Sequence, residues 1–296
     1  MMFLYFCRLI SMIQSVFRNY SYRNTDKNKY MSTSIKNREL LFVVDMQNDF
    51  CLPTGKLSVP DAMSDVKRLA QFIQKKSNTL DAIILTQDSH QVNDIAHACF
   101  WTNETGESPA PFTLISSDDI KNKKWTSKNP DKREWTQYYI DALEKDGNFV
   151  HVIWPEHCIT GSKGEAIVDE LMYAVEEWAR KGHYFELFRK GEYPYTEHFG
   201  ALKANIVVED EEATHLNQKL IERLKAFDVI YVAGEAKSHC VATTLKQMLE
   251  ISGLATKIVI LEDCMSDVAG FEGYASPILE EAVKQGACIA RSVEIN

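Results

Sequence analysis

The sequence lacks the long hydrophobic runs and the basic stretches that mark two large classes of protein. It contains no run of about 18 apolar residues, so we expect no membrane span. The body of the chain has no sustained basic stripe, and 33 basic against 42 acidic residues give a formal net charge of −9. Because phosphate contacts dominate nucleic-acid affinity, this balance argues against a nucleic-acid-binding protein.

The seven cysteines lack the spacing of a structural zinc site. They are odd in number and scattered, and none belongs to a CxxC pair. Thiols of this kind are typical of a reducing compartment. The remaining composition, with 45% hydrophobic and 25% charged residues among 296, predicts a globular protein that can bury a sizeable core.

The first 38 residues are almost free of acidic side chains. Asp26 is the first acidic residue, and arginines and lysines are interleaved with Met, Phe, Leu, Ile, Ser and Tyr. This composition is typical of a mitochondrial transit peptide. The alternative is a dispensable or untranslated extension, with translation starting at Met31. The expected location is therefore mitochondrial in the first case and cytoplasmic in the second.

From residue 39 to residue 296, short apolar runs alternate with segments of helical periodicity. The apolar runs predict strands at 40–46, 81–87, 149–153, 183–188, 228–233, 256–261 and 287–290. This alternation predicts one domain with a three-layer α/β/α fold, whose doubly wound, mostly parallel sheet has about six strands. The connection at 102–146 is too long for a bare connector, so it is either a lid or an insertion packed on the body.

A cysteine follows the strand predicted at 228–233 and a Gly-containing turn. Cys240 is placed at the first turn of an amphipathic helix, where it would face unpaired backbone N–H groups and the positive end of the helix dipole. Both favour the thiolate, which is the nucleophilic form. The alternative is that Cys240 is a small buried apolar residue. His239, its neighbour, is interpreted as a surface histidine because adjacent side chains at a helix start point apart.

Ligands bind beyond the carboxyl ends of the strands in open α/β sheets, so polar residues at those ends are candidates for the site. Asp45 lies at the carboxyl end of the first predicted strand, and Lys190 follows the fourth. A carboxylate within an apolar run is costly to bury unless it is paired or used. Asp45 is therefore interpreted as a general base near the thiol, with Lys190 as its charge partner. The alternative is a buried Asp45 that caps a neighbouring turn.

Asp88 and His90 are candidate metal ligands after the second strand. They are two residues apart in extended chain, so their side chains can point the same way. With His157, which follows the third predicted strand, they form an open ligand set that suits zinc, iron or manganese. His97 is a rival third ligand. The alternative is that these histidines only make hydrogen bonds.

Six blocks of the sequence resemble, in the same order, motifs of the nicotinamidase and isochorismatase-like cysteine hydrolases. They read LFVVDMQNDFCLPTGKLSVP, TQDSH, IWPEHCITGSKGEAI, FRKG, VAGEAKSHCVATTL and VILEDCMSDVAG. The resemblance covers most of residues 39–291, is weaker at 102–146, and implies the isochorismatase-like hydrolase fold. It also implies a catalytic triad, formed by Asp45, Lys190 and Cys240. The metal set it implies, typically occupied by zinc, is Asp88, His90 and His157.

The resemblance further implies how a substrate would be held. Phe50 and Trp154 would sandwich a pyridine ring, and a cis peptide would join Glu235 to Ala236. The backbone N–H groups of Ala236 and Cys240 would then stabilise the oxyanion.

The implied activity is metal-assisted hydrolysis of a small carboxamide through a thioester, with nicotinamide as the best candidate and pyridine nucleotide salvage as the setting. Because isochorismatase branches generally lack the metal set, its presence in this sequence favours the nicotinamidase activity. Ser89 and Gln91 replace the Trp and Pro of the usual DWHP motif, and Lys237 replaces a threonine of the nucleophile turn. These departures keep open another small amide, ureido or carbamoyl substrate, or an inactive binding relative. A homo-oligomer is possible.

Overall fold

A parallel sheet of six strands lies at the centre of the chain, which a computed structural model describes over residues 37–145 and 150–295. The strands within these ranges are β1 (Glu39–Val44), β2 (Leu80–Asp88), β3 (Trp101–Thr102), β4 (Leu114–Ile115), β5 (Thr126–Ser127), β6 (His151–Val152), β7 (Phe185–Lys190), β8 (Val229–Gly234), β9 (Ile258–Leu261) and β10 (Cys288–Ala290). The order in the central sheet is β10-β9-β8-β1-β2-β7, and every pair in it is parallel.

Helices cover both faces of this sheet. Residues that alternate along a strand point to opposite sides, so each strand presents side chains to the helices on both faces. The helices are α1 (Asn48–Cys51), α2 (Ala62–Lys75), α3 (Ser117–Lys121), α4 (Arg133–Lys145), α5 (Asp169–Ala179), α6 (Gln218–Lys225), α7 (Ala242–Leu249) and α8 (Ser276–Lys284). Leu41 and Val43 of β1 belong to the core that contains α2 and α5, whereas Phe42 and Val44 belong to the core with α6 and α7. The predicted three-layer α/β/α fold is confirmed.

The register of the sheet brings four strand ends together. Val44 at the end of β1 is opposite Gly234 at the end of β8. Asp88 at the end of β2 is opposite Lys190 at the end of β7. Since β1 lies between β8 and β2, the residues that follow these strands share one edge of the sheet.

The prediction that 149–153 forms a strand of the parallel sheet was wrong. Only His151–Val152 is a strand among the described residues of that run, and it pairs antiparallel with Leu114–Ile115. The position beside β2 is taken by β7. A short apolar run indicates a buried extended chain but does not identify its partner, which is here supplied by the long connection.

That connection, called the insertion below, has secondary structure and a hydrophobic cluster of its own. It contains the small sheet of β3 and β5, strand β4, and helices α3 and α4. Trp101, Tyr139 and Ile140 are fully buried in a cluster separate from the two main cores, and Ile153 joins the same cluster. The chain after the insertion is thereby tied to it. No helix among the described residues is both long and apolar enough to cross a membrane.

Candidate active site

Asp45 stands directly after β1 and is fully buried. Its φ of 46° lies in the left-handed region, which aspartate tolerates better than most residues. Thr86 of the neighbouring strand fixes it twice. The Asp45 N–H donates to Thr86 Oγ1 at 3.1 Å, and the Thr86 hydroxyl donates to Asp45 Oδ1 at 2.5 Å. The turn that follows β1 is therefore held to β2 through this carboxylate.

Lys190 connects the buried carboxylates of this edge. Its Nζ lies 2.9 Å from Asp45 Oδ2 and 3.0 Å from Asp88 Oδ1. The same ammonium donates to the His198 carbonyl at 2.8 Å and lies 3.8 Å from Cys240 Sγ. Burial would lower the pKa of Lys190, but Asp45 and Asp88 raise it well above its usual range. The site thus holds one buried cation between two carboxylates, beside the thiol.

Cys240 is held by an unusual turn between β8 and α7. Residues Lys237–Val241 form a π-type turn, in which the Val241 N–H donates to the Ala236 carbonyl five residues earlier. The peptide between Glu235 and Ala236 is cis, as the resemblance implied. The Glu235 N–H donates to the Val44 carbonyl at 2.8 Å, which ties the turn to the end of β1. Cys240 therefore lies beside Asp45.

The thiol is less acidic than its position in the sequence predicted. Burial raises the pKa of Cys240 well above its usual value, and the lowering effect of Lys190 does not offset this. Burial also raises the pKa of Asp45, with Lys190 opposing. One ligand-type atom each of Asp45, Asp88 and Cys240 lies within 4.8 Å of the others. Attack by Cys240 therefore requires a nearby base to remove its proton, and a carboxylate with a raised pKa suits that role.

Two of the three predicted metal ligands, both histidines, point towards one carboxylate oxygen of the third, Asp88. Asp88 Oδ2 lies 3.1 Å from His90 Nε2 and 3.9 Å from His157 Nε2. The other ring nitrogens are held from behind, since His90 Nδ1 lies 3.1 Å from Asp94 Oδ2 and His157 Nδ1 lies 2.8 Å from the Pro155 carbonyl. Ligating histidines are usually oriented in this way. The three buried side chains could hold a metal ion.

His157 reaches this position although the strand predicted before it is not in the central sheet. The chain after β6 runs beside residues 90–97, where the Trp154 N–H donates to the Ala96 carbonyl and the His90 N–H donates to the Cys158 carbonyl. His97 lies behind His157 rather than in the ligand set. Its Nε2 is 3.4 Å from His157 Nδ1, and its Nδ1 is 3.0 Å from the Gln91 carbonyl.

A pocket lies between the thiol and the ligand set. Cys240, Asp88 and His157 line it together with the predicted substrate-binding residues Phe50, Trp154 and Ala236. The remaining lining residues are Leu57, Glu197, Phe199, His239 and Val268. Aromatic walls with a few polar groups are suited to a small planar ligand.

His239 is a buried pocket residue, so its interpretation as a surface histidine was wrong. Its ring centroid lies 5.3 Å from that of Trp154 and 4.8 Å from that of Phe271. Burial lowers its pKa to about 4. The prediction assumed an ordinary helix start, whereas the π-type turn and the aromatic chain around Phe271 enclose the ring. Sequence adjacency to Cys240 could not show this.

Two further residues of the site were missed. Thr86 lies inside an apolar strand and gave no signal of its contact with Asp45. Glu197 lines the pocket and lies seven residues after Lys190, in a segment that follows the family motif only loosely. Its position after a strand end was the one available signal, because loops at that edge of the sheet carry ligand contacts.

Two relatives found by sequence are both nicotinamidases. The nicotinamidase of Saccharomyces cerevisiae is 25% identical over 222 residues, which cover 74% of this chain and 85% of that protein. The nicotinamidase of Escherichia coli is 26% identical over 223 residues, which cover 75% of this chain and 80% of that protein. No protein-family model matches the chain.

Solved structures of related enzymes share the fold. The yeast nicotinamidase Pnc1p bound to the inhibitor nicotinaldehyde matches with a TM-score of 0.60 at 20% identity, over 86% of this chain and 99% of that chain. A pyrazinamidase of Pyrococcus horikoshii in complex with zinc matches with a TM-score of 0.52 at 20% identity, also over 86% of this chain and 99% of that chain.

Proposed function

We propose that this chain, which belongs to the nicotinamidase and isochorismatase-like superfamily of cysteine hydrolases, hydrolyses nicotinamide to nicotinate and ammonia through a thioester on Cys240. The observation that carries the proposal is one pocket lined by the Cys240 thiol, by Asp88 and His157 of the ligand set, and by two aromatic side chains. The proposed base and its lysine adjoin this pocket, since the Lys190 ammonium contacts Asp45 and Asp88 and lies 3.8 Å from Cys240 Sγ. The similarity to nicotinamidases supports the choice of amide. Such an enzyme acts in pyridine nucleotide salvage.

The reaction begins with proton transfer from Cys240 to Asp45. The thiolate attacks the carboxamide carbon, and the N–H groups of Ala236 and Cys240 stabilise the oxyanion, at about 3 kcal/mol for each such donor in comparable sites. Asp45 returns the proton to the departing ammonia and then activates the water that hydrolyses the thioester. The Lys190 ammonium holds Asp45 in place and remains charged throughout.

Asp88, His90 and His157 are proposed to hold a divalent metal, for which zinc is the best candidate. Their fit rests on the two Nε2 atoms turned towards Asp88 and on the outer partners that fix each ring. A cation bound there would supply a fixed positive charge that anchors the pyridine nitrogen or an ordered water. Phe50 and Trp154 would hold the ring on either side.

Ser89, Gln91 and Lys237, which depart from the usual motifs, do not line the pocket, whereas Glu197 of the loosely matching segment does. The buried Ser89 hydroxyl donates to Glu165 Oε1 at 2.5 Å, and the Lys237 ammonium lies 2.7 Å from Asp267 Oδ2. Both therefore make structural contacts outside the residues that enclose the ligand. This weakens the case for a different substrate that these departures raised.

The test is a screen of the purified protein with nicotinamide and with other small amides, ureido compounds and carbamoyl compounds. Ammonia and the matching acid are measured in each reaction. We expect nicotinamide to give the highest kcat/KM, with one nicotinate formed for each ammonia. A higher kcat/KM for a ureido or carbamoyl compound would replace nicotinamide as the substrate. No turnover of any compound by metal-loaded protein would favour a binding relative.

We propose a mitochondrial location if residues 1–38 act as a transit peptide, and a cytoplasmic one if translation starts at Met31. Fluorescent fusions of the full chain and of a chain that begins at Met31 distinguish these cases. Mitochondrial signal only with the full chain supports the transit peptide. Assembly into a homo-oligomer is a separate proposal, tested by light scattering of the purified protein.

A further inference from the structure

Glu197 is a buried acidic residue in the pocket wall that the proposed mechanism does not use. Only 3% of the residue is exposed, and its Oε1 has no hydrogen-bond partner among the residues that the structure describes. Glu165, which is equally buried, shows the ordinary arrangement. Its Oε1 accepts from the Ser89 hydroxyl and its Oε2 accepts from the Gly161 N–H. Buried carboxyl oxygens normally have such partners, so the exception calls for one.

The backbone around Glu197 is fixed by the surrounding structure. Its N–H donates to the Tyr139 hydroxyl at 3.3 Å, and its carbonyl accepts from the Asn205 N–H at 2.8 Å. The next residue, His198, accepts the hydrogen bond from Lys190. The side chain is therefore carried on a segment bonded both to the insertion and to the catalytic lysine. A loose loop is not the reason for the unpaired oxygen.

Glu197 lines two neighbouring cavities. One is the proposed substrate pocket, and the other is a small space whose lining includes Tyr139 and Leu143 of the insertion. Trp154, Phe199 and His239 line both spaces together with Glu197. These surroundings are largely aromatic, and burial raises the pKa of Glu197 to about 8. A hydrogen-bond donor from a ligand would satisfy the carboxyl group where solvent has little access.

We propose that Glu197 is a specificity-determining residue whose Oε1 accepts a hydrogen bond from an N–H donor of the bound carboxamide. This inference rests on the proposed function and adds the means by which the pocket distinguishes an amide from an acid. An amide offers N–H donors, whereas the carboxylate product offers only acceptors.

The test compares the wild-type protein with the Glu197→Gln variant at pH 9, where Glu197, with a pKa of about 8, is ionised. The variant keeps the shape of the side chain but adds an NH₂ donor. The KM for nicotinamide and the inhibition constant for nicotinate are measured with the metal-loaded protein. We expect the KM to rise about tenfold and the inhibition constant to fall, because the new donor suits a carboxylate and not an amide. The kcat should change by less than about threefold, since the residue takes no part in the chemical steps.

Two other variants separate recognition from a structural role. Glu197→Asp keeps an acceptor and should retain a preference for the amide over the acid, even with weaker binding. Glu222→Gln makes the same chemical change on an exposed residue of α6 and should leave both constants unchanged. An unchanged ratio of the two constants in Glu197→Gln would overturn the inference. If kcat and the melting temperature also fell while that ratio stayed unchanged, the role of Glu197 would be structural.

Failure of this inference can be told from failure of the proposed function. If the wild-type protein hydrolyses nicotinamide and the ratio does not move in Glu197→Gln, only the role of Glu197 is wrong. If the wild-type protein does not hydrolyse nicotinamide, the proposed substrate is wrong. Glu197 is then tested by calorimetry with the best amide of the screen and its acid, for which the same change in preference is expected and an unchanged preference would overturn it.

Discussion

Lys190 is the residue that connects the proposed base to the proposed metal ligands. Its ammonium contacts Asp45 and Asp88 at about the same distance, 2.9 and 3.0 Å. Either carboxylate would be costly to bury alone, and the ammonium between them offsets part of that cost. A nearby ammonium would by itself lower the pKa of a thiol. The two carboxylates that pair with Lys190 oppose this effect, which explains why Cys240 remains protonated beside a charged lysine. Burial and two carboxylates outweigh its effect on Cys240.

Thr86 is expected to tune the base. Its hydroxyl donates to Asp45 and helps to lower the pKa of that carboxyl. Thr86→Val removes the bond, so the pKa of Asp45 should rise and the acid limb of kcat/KM should move to higher pH. At neutral pH we expect kcat/KM to fall about tenfold and to recover as the pH increases. A pH profile of the variant measures this.

Thr86→Ser is the matched control for that profile. It keeps the hydroxyl and should leave the acid limb in place. A limb that does not move in Thr86→Val would mean that Asp45 is not the group whose ionisation limits the reaction.

His157 and His97 should differ in their effect on metal content. His157→Ala removes a proposed ligand and should abolish stoichiometric binding, as measured by elemental analysis after dialysis. His97→Ala removes only a group behind His157, so it should weaken binding by about 10- to 100-fold and leave metal bound when metal is in excess. Equal loss in both variants under excess metal would contradict this assignment.

Sequence reasoning located the reactive residues better than their surroundings. Asp45, Asp88 and Lys190 could be placed because each follows a recognisable strand, and parallel strands end at one edge. The hydroxyl partner of Asp45 could not be placed, because Thr86 looks like any β-branched residue of a buried strand. The pKa of Cys240 could not be predicted from the sequence either, since it depends on how deeply the thiol is buried.

At the scale of elements, the approach of β8 to β1 positions the nucleophile turn. Gly234 ends β8 with a φ of 137°, and a Cβ there would lie 2.0 Å from the Val44 carbonyl oxygen. No L side chain fits without moving one of the two strands. Because Glu235 and the turn to Cys240 follow immediately, the glycine is needed both for the strand pair and for the site.

Gly234→Ala should therefore destabilise the fold by about 3 kcal/mol or more, through overpacking and backbone strain together. Gly106→Ala is the control, since Gly106 also has a positive φ, of 86°, but has open space around it. We expect it to cost only about 1–2 kcal/mol. Urea denaturation of both variants measures the difference. Equal costs would show that the contact with Val44 is not limiting.

The periodicity of the sequence predicted the helices and the central strands, but it did not predict the partner of one strand. The apolar and helical patterns predicted β1, β2 and α2 because each buries a continuous surface. The run at 149–153 has the same composition, yet its described residues pair with β4 of the insertion. Nothing in residues 102–146 resembled a strand strongly enough to reveal that partner, because β3, β4 and β5 are only two residues long.

At the scale of the whole molecule, residues Arg38–Asn296 form a compact unit by themselves. We therefore expect a chain that begins at Met31 to keep its kcat/KM for nicotinamide and its melting temperature. Parallel assays of this shorter chain and the full chain test the expectation. A large loss of activity or stability in the shorter chain would mean that residues 1–30 contribute to the fold or the site. The division into an extension and one domain with an insertion stays a prediction.

Turnover of nicotinamide with and without the Cys240 thiol tests the proposed chemistry most directly. Ammonia and nicotinate are measured for the wild-type protein, for Cys240→Ala and for Cys288→Ala, in which an exposed cysteine is replaced. We predict equal amounts of both products from the wild-type protein and from Cys288→Ala. Cys240→Ala should form neither product while still binding nicotinamide in calorimetry. Ammonia release by Cys240→Ala at a rate near that of the wild-type protein would contradict a thioester mechanism.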